Sequence, residues 1–236
     1  MSDPRVELVH RFFSGTGPTY DRVVNLCTFG ADIWWKKIIL GKIPKGSTRI
    51  MDQGCGTGIL TFQIAREFPH SHVVGVELRD EYLNIARKKA RALRSDNVEF
   101  ILGRAEDVLP EETFDCITSS YLAKYVELEV LIRNIKKMLQ NGGVLVMHDF
   151  TYPRNRTVAT IWEFYLRLLQ MVGNWKYPQW LEIYYRLPKF LRETKWVMDL
   201  TRILKENAFS DIHTQSLTFG TSAIVRARKP KVLTIH

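Results

Sequence analysis

Residues Asp52 to Gly58 read DQGCGTG, at the junction between a strand-like run, Thr48–Asp52, and a helical stretch, Ile59–Glu67. Glycines at 54, 56 and 58 let the backbone turn tightly and approach a ligand closely. They also present amide hydrogens at a helix N-terminus, where the first N–H groups have no intrahelical partner. A dinucleotide fingerprint, GxGxxG, would need glycine at 59, and the chain has Ile59 there. The spacing is GxGxG, with an acid two residues before the first glycine. That pattern points away from a pyrophosphate ligand.

The turn sits in a longer alternation. Apolar runs at Thr48–Asp52, His72–Leu78, Val98–Leu102, Phe114–Ser120 and Gly143–Phe150 predict strands, several of them nearly continuous and so buried on both faces. Between them, Asp80–Arg94 carries Leu83, Ala86, Ala90 and Leu93 on one stripe, and Leu128–Leu139 runs into Asn141-Gly142-Gly143, a predicted helix stop. Alternation of this kind predicts an α/β fold: a Rossmann-like, mostly parallel sheet with helices on both faces. Val197–Asn207 reads as a further helix. Asp211–Leu217 and Ser222–Ala227 then form a hairpin, completing seven strands with an antiparallel edge. We expect a single domain over 1–236, with a helical cap at 1–45, a ligand-binding core at 46–150, a helical lid insertion at 151–197 and a terminal helix and hairpin at 198–236.

Two further features are in register with the glycine turn. Glu77 ends the second strand and could accept hydrogen bonds from both hydroxyls of a ribose. Arg104-Ala105-Glu106-Asp107 follows the third strand, where an adenine edge could meet a backbone amide and a carboxylate. A glycine-rich turn is often only structural, and a strand-end glutamate is often only solvated. Three such features across one α/β unit make a site.

Together they resemble a class I S-adenosyl-L-methionine (SAM)-dependent methyltransferase. The resemblance implies that Asp52, Gly54, Gly56, Thr57 and Gly58 hold the methionine end. It gives the ribose to Glu77 and adenine to Ala105 and Glu106, and it sets Ser120 beneath the methionine portion. A closer resemblance, to the ubiquinone/menaquinone biosynthesis C-methyltransferases, covers nearly the whole chain. It rests on YDRVVNLCTFGADIWWK (Tyr20–Lys36), TFDCITSSY (Thr113–Tyr121), HDFTYP (His148–Pro153) and LTFGTSAIVRARKP (Leu217–Pro230). It implies an enzyme whose acceptor is a small lipophilic prenylquinol, a demethylmenaquinol or a ubiquinol precursor. The chain departs from that family after Ser120: Phe-Gly-hydrophobic-Arg-Asn becomes Tyr121-Leu122-Ala123-Lys124-Tyr125. Lysine keeps the charge of arginine but loses its planar fork, so the acceptor's identity is the open point. The alternatives are a phosphatidylethanolamine N-methyltransferase, a natural-product O- or C-methyltransferase, and a SAM-binding regulator without catalysis.

SAM chemistry needs no metal, and His10, His70, His72 and His213 show no metal spacing. Activating a quinol means removing a phenolic proton. His148, at the end of the fifth strand beside Asp149, is the expected base. Lys124 is expected to stabilise a phenolate, and Tyr121 and Tyr20 to position substrate or close over SAM. The bland readings are a His satisfied near the sheet edge, an exposed helix-start Lys and two core tyrosines.

Composition bounds the rest. The chain has 236 residues, 45% hydrophobic and 25% charged, with three well-separated cysteines. That is ordinary globular usage, and the few cysteines fit a reducing compartment. MSDPRVELVH lacks the features of a signal peptide, and the longest stretch free of Asp, Glu, Lys and Arg, 212–225, is too short and too polar to span a bilayer. The expected location is cytoplasmic, peripheral to the inner face of the membrane. The net charge of +9 concentrates in Arg79–Arg94 and in 150–200, where eight basic residues interleave with twelve aromatics, among them Trp162, Trp175, Trp180 and Trp196. Neither the Asn/Asp-Pro-Pro-aromatic tetrad nor the Pro-Cys nucleophile of nucleic-acid methyltransferases occurs, so no nucleic-acid partner is expected. The insertion reads instead as a lid over an apolar channel, its rim in contact with an anionic membrane. A homodimer is left open.

Overall fold

The computed structural model describes residues 3–231; the outermost ends of the single-domain expectation, 1–2 and 232–236, lie outside the described residues. Seven strands form one sheet in the order β3-β2-β1-β4-β5-β7-β6. They are β1 (Arg49–Gln53), β2 (His72–Glu77), β3 (Val98–Leu102), β4 (Phe114–Ser120), β5 (Leu139–Phe150), β6 (Ser210–Leu217) and β7 (Ser222–Arg228). β1 to β5 pair in parallel, while β7 runs antiparallel to both β5 and β6. The Rossmann-like architecture and the antiparallel hairpin are as expected from the sequence. One boundary differs. The helix expected to stop at Asn141-Gly142-Gly143 ends at Met138, and the strand has already begun at Leu139. Gly142 adopts φ +83° inside the strand and lets it bend there.

Alternate residues on each strand feed two cores. Met51, Val74, Ile117, Leu145, Met147 and Val225 face α6 (Leu128–Met138) and α9 (Trp196–Glu206). Their neighbours Ile50, Val73, Cys116, Val144, Val146 and Ile224 face α3 (Ala31–Leu40) and α4 (Ile59–Glu67). A period of two along each strand, with apolar residues at every step, is what a sheet covered on both faces requires. α5 (Asp80–Leu93) packs against β2 and β3.

A third, smaller cluster joins the chain's start to its insertion. It unites Phe12 of α1 (Pro4–Phe13) and Val23 of α2 (Tyr20–Cys27) with Tyr125, Trp180, Ile183 and Tyr184. The insertion itself is α7 (Arg156–Lys176) and α8 (Leu181–Glu193), joined by a short 3-10 turn. Asn155 caps α7 by accepting from the Thr157 and Val158 amides.

Candidate active site

Strand order reverses between β1 and β4, and open α/β sheets bind ligands at such a point, beyond the carboxyl ends of the strands. A cleft of about 780 Å³ lies there, lined by Gly54, Gly56, Glu77, Ala105, Ser120 and Tyr121 among others. A smaller chamber of about 300 Å³ continues from the glycine turn past Asp52 and Lys36.

Gly58 is the N-cap of α4 at φ +85°, where a Cβ would fall 2.5 Å from the Phe62 ring. Only glycine fits. Thr57 is buried and turned away from the cleft: its hydroxyl donates to Asp21, which also pairs with Lys89. Thr57 therefore fastens the turn to α2 and α5 rather than lining the cavity. Glu77 accepts from the amides of Gly56 and Arg79, at 2.9 and 2.8 Å. Burial raises its carboxyl above the ordinary range, and those two donors pull it back. Asp52 is buried beneath the turn. Its two oxygens accept the hydroxyls of Thr61 and Thr118, at 2.7 and 3.1 Å. Burial raises its pKa to about 6 against that pull. Ala105 lines the cleft. Glu106 also lines it while accepting from the Glu127 amide and pairing with Arg104. The donor set suits SAM: a carboxylate at ribose height, apolar walls with a carboxylate at the adenine end, and a glycine turn with a buried acid at the methionine end.

Tyr20 lies over this cleft, stacked on Trp180 and edge-on to Tyr82. Val9 and Phe13 of α1 and Tyr82 of α5 complete the wall, and sequence reasoning did not assign them. Nothing in α1 marks it beforehand, because its contribution depends on where the cap docks.

The residues expected to activate an acceptor lie side by side, but in surroundings that alter their roles. His148 is fully buried. Nδ1 hydrogen-bonds the Ser120 hydroxyl at 3.0 Å and Nε2 that of Ser222 at 2.6 Å. Burial, reinforced by the charges of Lys36 and Lys124, holds its pKa well below the ordinary value. Direct proton abstraction by His148 does not fit these surroundings, because both ring nitrogens are engaged and only Ser120 connects it to the cleft. Lys124 is not an exposed helix-start lysine. Its ammonium is buried against the Asp149 carboxylate and lies 4.5 Å from the Tyr125 ring centre and 5.8 Å from that of Tyr121. Tyr121 is half-buried and lines both the cleft and the smaller chamber. Its hydroxyl donates to Asp32, at 2.6 Å. Asp32 also pairs with Lys36, one turn along α3 and equally buried. Sequence reasoning missed this pair. An acid and a base four residues apart inside the apolar run ADIWWKKIIL is the signal that could have found it.

Under the lid lies a second space. A chamber of about 690 Å³ is walled by apolar side chains of α2, α7 and α8, with Phe150 at its inner end. Another, of about 680 Å³, shares Cys27, Thr28, Phe150, Trp162 and Tyr165 with it. Phe150 stacks on Tyr121, with ring centres 4.8 Å apart, so this aromatic pair, like the Tyr20–Trp180 stack, lies between the apolar space and the cleft.

A family model described as a methyltransferase domain matches residues 44–193, which hold the glycine turn, Glu77, Ser120 and most of the lid. The chain belongs to that family. It is a SAM-dependent methyltransferase, with SAM as its cofactor. It is 27% identical over 228 residues to a demethylmenaquinone methyltransferase of Listeria monocytogenes, covering 94% of this chain and 96% of that one. To the demethylmenaquinone methyltransferase of Geobacillus stearothermophilus it is 24% identical, covering 95% and 97%. Among solved structures, the phosphoethanolamine N-methyltransferase 2 of Haemonchus contortus superposes with a TM-score of 0.70 at 16% identity. That match takes in 98% of this chain but only 61% of the other, and it speaks for the fold.

Among the described residues, no group of three or more His, Cys, Asp or Glu could hold a metal ion, and no helix is long and apolar enough to cross a membrane.

Proposed function

We propose that the chain methylates a ring carbon of a prenylated quinol, a demethylmenaquinol or a ubiquinol precursor. The observation that carries this reading is the apolar space under the lid, which meets the cofactor cleft across the Tyr121–Phe150 stack. Such a space suits an isoprenoid tail while the ring reaches the cleft. Likeness to demethylmenaquinone methyltransferases along nearly the whole chain supports the same reading.

SAM supplies a methyl made electrophilic by a sulfonium, which calls for alignment and an activated nucleophile but no metal. Glu77 would hold the ribose, Ala105 and Glu106 the adenine, and the glycine turn over Asp52 the methionine end. Tyr20 and Trp180 would close the cleft against water. Tyr121 faces the acceptor. Lys124 would act as a fixed positive charge near the ring's oxygen. His148 would orient Ser120. We assign the ends of the domain as expected from the sequence: a cap at 1–45, a core at 46–150, a lid at 151–197 and a closing helix and hairpin.

The lid's outer face extends this reading to the membrane. Trp162, Tyr165, Leu166 and Leu169 turn inward on α7, while Phe164, Leu168, Met171 and Trp175 form a stripe on the opposite side. Trp175 is 87% exposed, as are Phe29 (80%) and Phe219 (86%) beside the second chamber. A helix apolar on both faces needs a partner for each. Arg154, Arg156, Arg167 and Lys176 accompany the stripe, so an anionic lipid surface complements it better than a second copy of a basic chain. Flotation with anionic vesicles should carry the parent and leave a Phe164→Glu/Trp175→Glu variant behind; a parent that does not float removes the membrane from this reading. Quinone profiling of cells lacking the gene tests the reaction. Accumulation of a quinone one methyl lighter is expected, and an unchanged quinone pool would count against it.

A further inference from the structure

We propose that Asp32, acting through the Tyr121 hydroxyl, takes up the phenolic proton of the acceptor. The inference rests on the quinol reading, because it needs a hydroxylated ring in the cleft.

A proton acceptor for such a ring must reach the cleft and have somewhere to pass the proton. His148 reaches the cleft only through Ser120, and burial with the charges of Lys36 and Lys124 makes it a poor proton acceptor. Lys124 is tied to Asp149. Tyr121 alone among the expected groups lines the cleft with a hydroxyl whose proton already points at a carboxylate, 2.6 Å away. Its position is enforced. The backbone holds φ at +69°, a left-handed conformation that bulky residues seldom adopt outside functional sites. The Tyr121 amide donates to the His148 carbonyl at 2.8 Å, and its ring is stacked on Phe150.

Asp32 is itself buried, with its backbone amide donating to the Thr28 hydroxyl at 3.3 Å. The charged and titratable groups around this pair are Lys36 from α3, Asp52 from β1, Tyr20 from α2, Lys124 after β4, and His148 and Asp149 on β5. The Lys36 ammonium pairs with the Asp32 carboxylate, which also accepts from the Tyr121 hydroxyl. Burial and the neighbouring Asp32 raise the Tyr121 phenol well above its ordinary value. Tyr121 therefore relays a proton and does not ionise.

In the step, the acceptor's O–H bond breaks as its proton passes to the Tyr121 oxygen, and the Tyr121 proton moves to Asp32. The electron pair left on the acceptor's oxygen spreads into the ring. The ring carbon then forms its bond to the methyl, and the sulfur keeps the pair of the broken S–C bond. When the methylated carbon sheds its hydrogen as a proton to water, the proton on Asp32 returns through Tyr121 to the ring oxygen. One proton is released in total, as methylation of a neutral ring by a sulfonium requires.

The test uses the full chain with a short-tailed demethylmenaquinol, comparing the parent with Asp32→Asn, Tyr121→Phe and the double variant. Each single change is expected to lower kcat about a hundredfold, the low end for general base catalysis. The double variant should fall no more than about threefold further, since one relay is removed only once. A halogenated acceptor with a more acidic hydroxyl should recover much of the loss in both single variants. Calorimetric affinity for S-adenosylhomocysteine should stay within about threefold throughout. Asp32→Asn leaves the Lys36 charge unpaired, so Tyr121→Phe, which keeps that pair, decides alone if the former does not fold. Either single variant within threefold of the parent, multiplicative losses in the double variant, or no recovery with the halogenated acceptor would overturn the relay. A parent that leaves the quinol unmethylated would overturn the quinol reading, and the relay with it.

Discussion

The cofactor cleft and the acceptor side meet at Tyr121, yet they are built on different principles. The polar part of the cleft is set by backbone at the carboxyl ends of parallel strands: a glycine turn, two amides that pin the Glu77 carboxylate, and a loop after β3. The acceptor side is made of side chains. Two buried ion pairs, Asp32–Lys36 and Lys124–Asp149, flank one tyrosine, and an apolar space lies beyond it under helices from both ends of the chain. A backbone-built site recognises what every member of a fold shares, whereas a side-chain-built site can be rebuilt for each acceptor.

The contrast is testable first in stability. Lys124 is 2% exposed and Asp149 is fully buried, and burial pushes the lysine down and the carboxyl up from their ordinary values. Lys124→Met strands the carboxylate and should cost about 3–5 kcal/mol in urea unfolding at pH 7. A loss under about 1 kcal/mol would mean that the pair is not the buried element described here.

Asp52 gives the next largest effect, and it depends on pH. Its folded pKa of about 6 stands above the ordinary 3.8, so between these values the folded chain holds a proton that the unfolded chain lacks. Stability is therefore lost as pH rises through that window. Relative to Asp52→Asn, the parent should lose about 2–3 kcal/mol between pH 4 and pH 7, at about 1.4 kcal/mol per unit. A difference between the two that stays constant with pH would contradict the assignment.

The sharpest separation of the two regions is a crossed pair of variants. Glu77→Gln should weaken S-adenosylhomocysteine binding about 10–100-fold, as expected for the loss of charged hydrogen bonds, and leave the preference for long over short acceptor tails intact. Leu166→Asp, in the wall of the apolar chamber, should do the reverse: about a tenfold rise in KM for the long-tailed acceptor with unchanged cofactor affinity. If either variant moved both quantities together, the two regions would not be independent.

The same difference explains what could be read in advance. The strands stand out as nearly continuous apolar runs because each feeds two cores, and the glycine turn is visible because φ +85° at residue 58 and a Phe62 ring 2.5 Å from any Cβ there admit only glycine. The places of Glu77 and Ser120 follow from strand ends, and that of Ala105 from the loop after β3. Thr57 was legible as part of the turn, although its hydroxyl serves Asp21 and not the cavity. The surroundings of His148 were not legible, since a strand-end position does not reveal that Ser120 and Ser222 hydrogen-bond both ring nitrogens. The Asp32–Lys36 pair leaves a trace within α3, but the link from Asp32 to Tyr121 could not be read, because the two lie 89 positions apart and meet only when α3 docks on the sheet. Contacts of that kind leave no periodicity in a sequence.

The central claim is that a methyl passes to carbon on a reduced ring held between these two regions. The direct measurement is mass spectrometry of the product formed by the purified chain from labelled SAM and a demethylmenaquinol kept reduced. The account predicts label on a ring carbon, and none when the same acceptor is supplied oxidised. Label found only on oxygen, or equal transfer to the oxidised quinone, would contradict it.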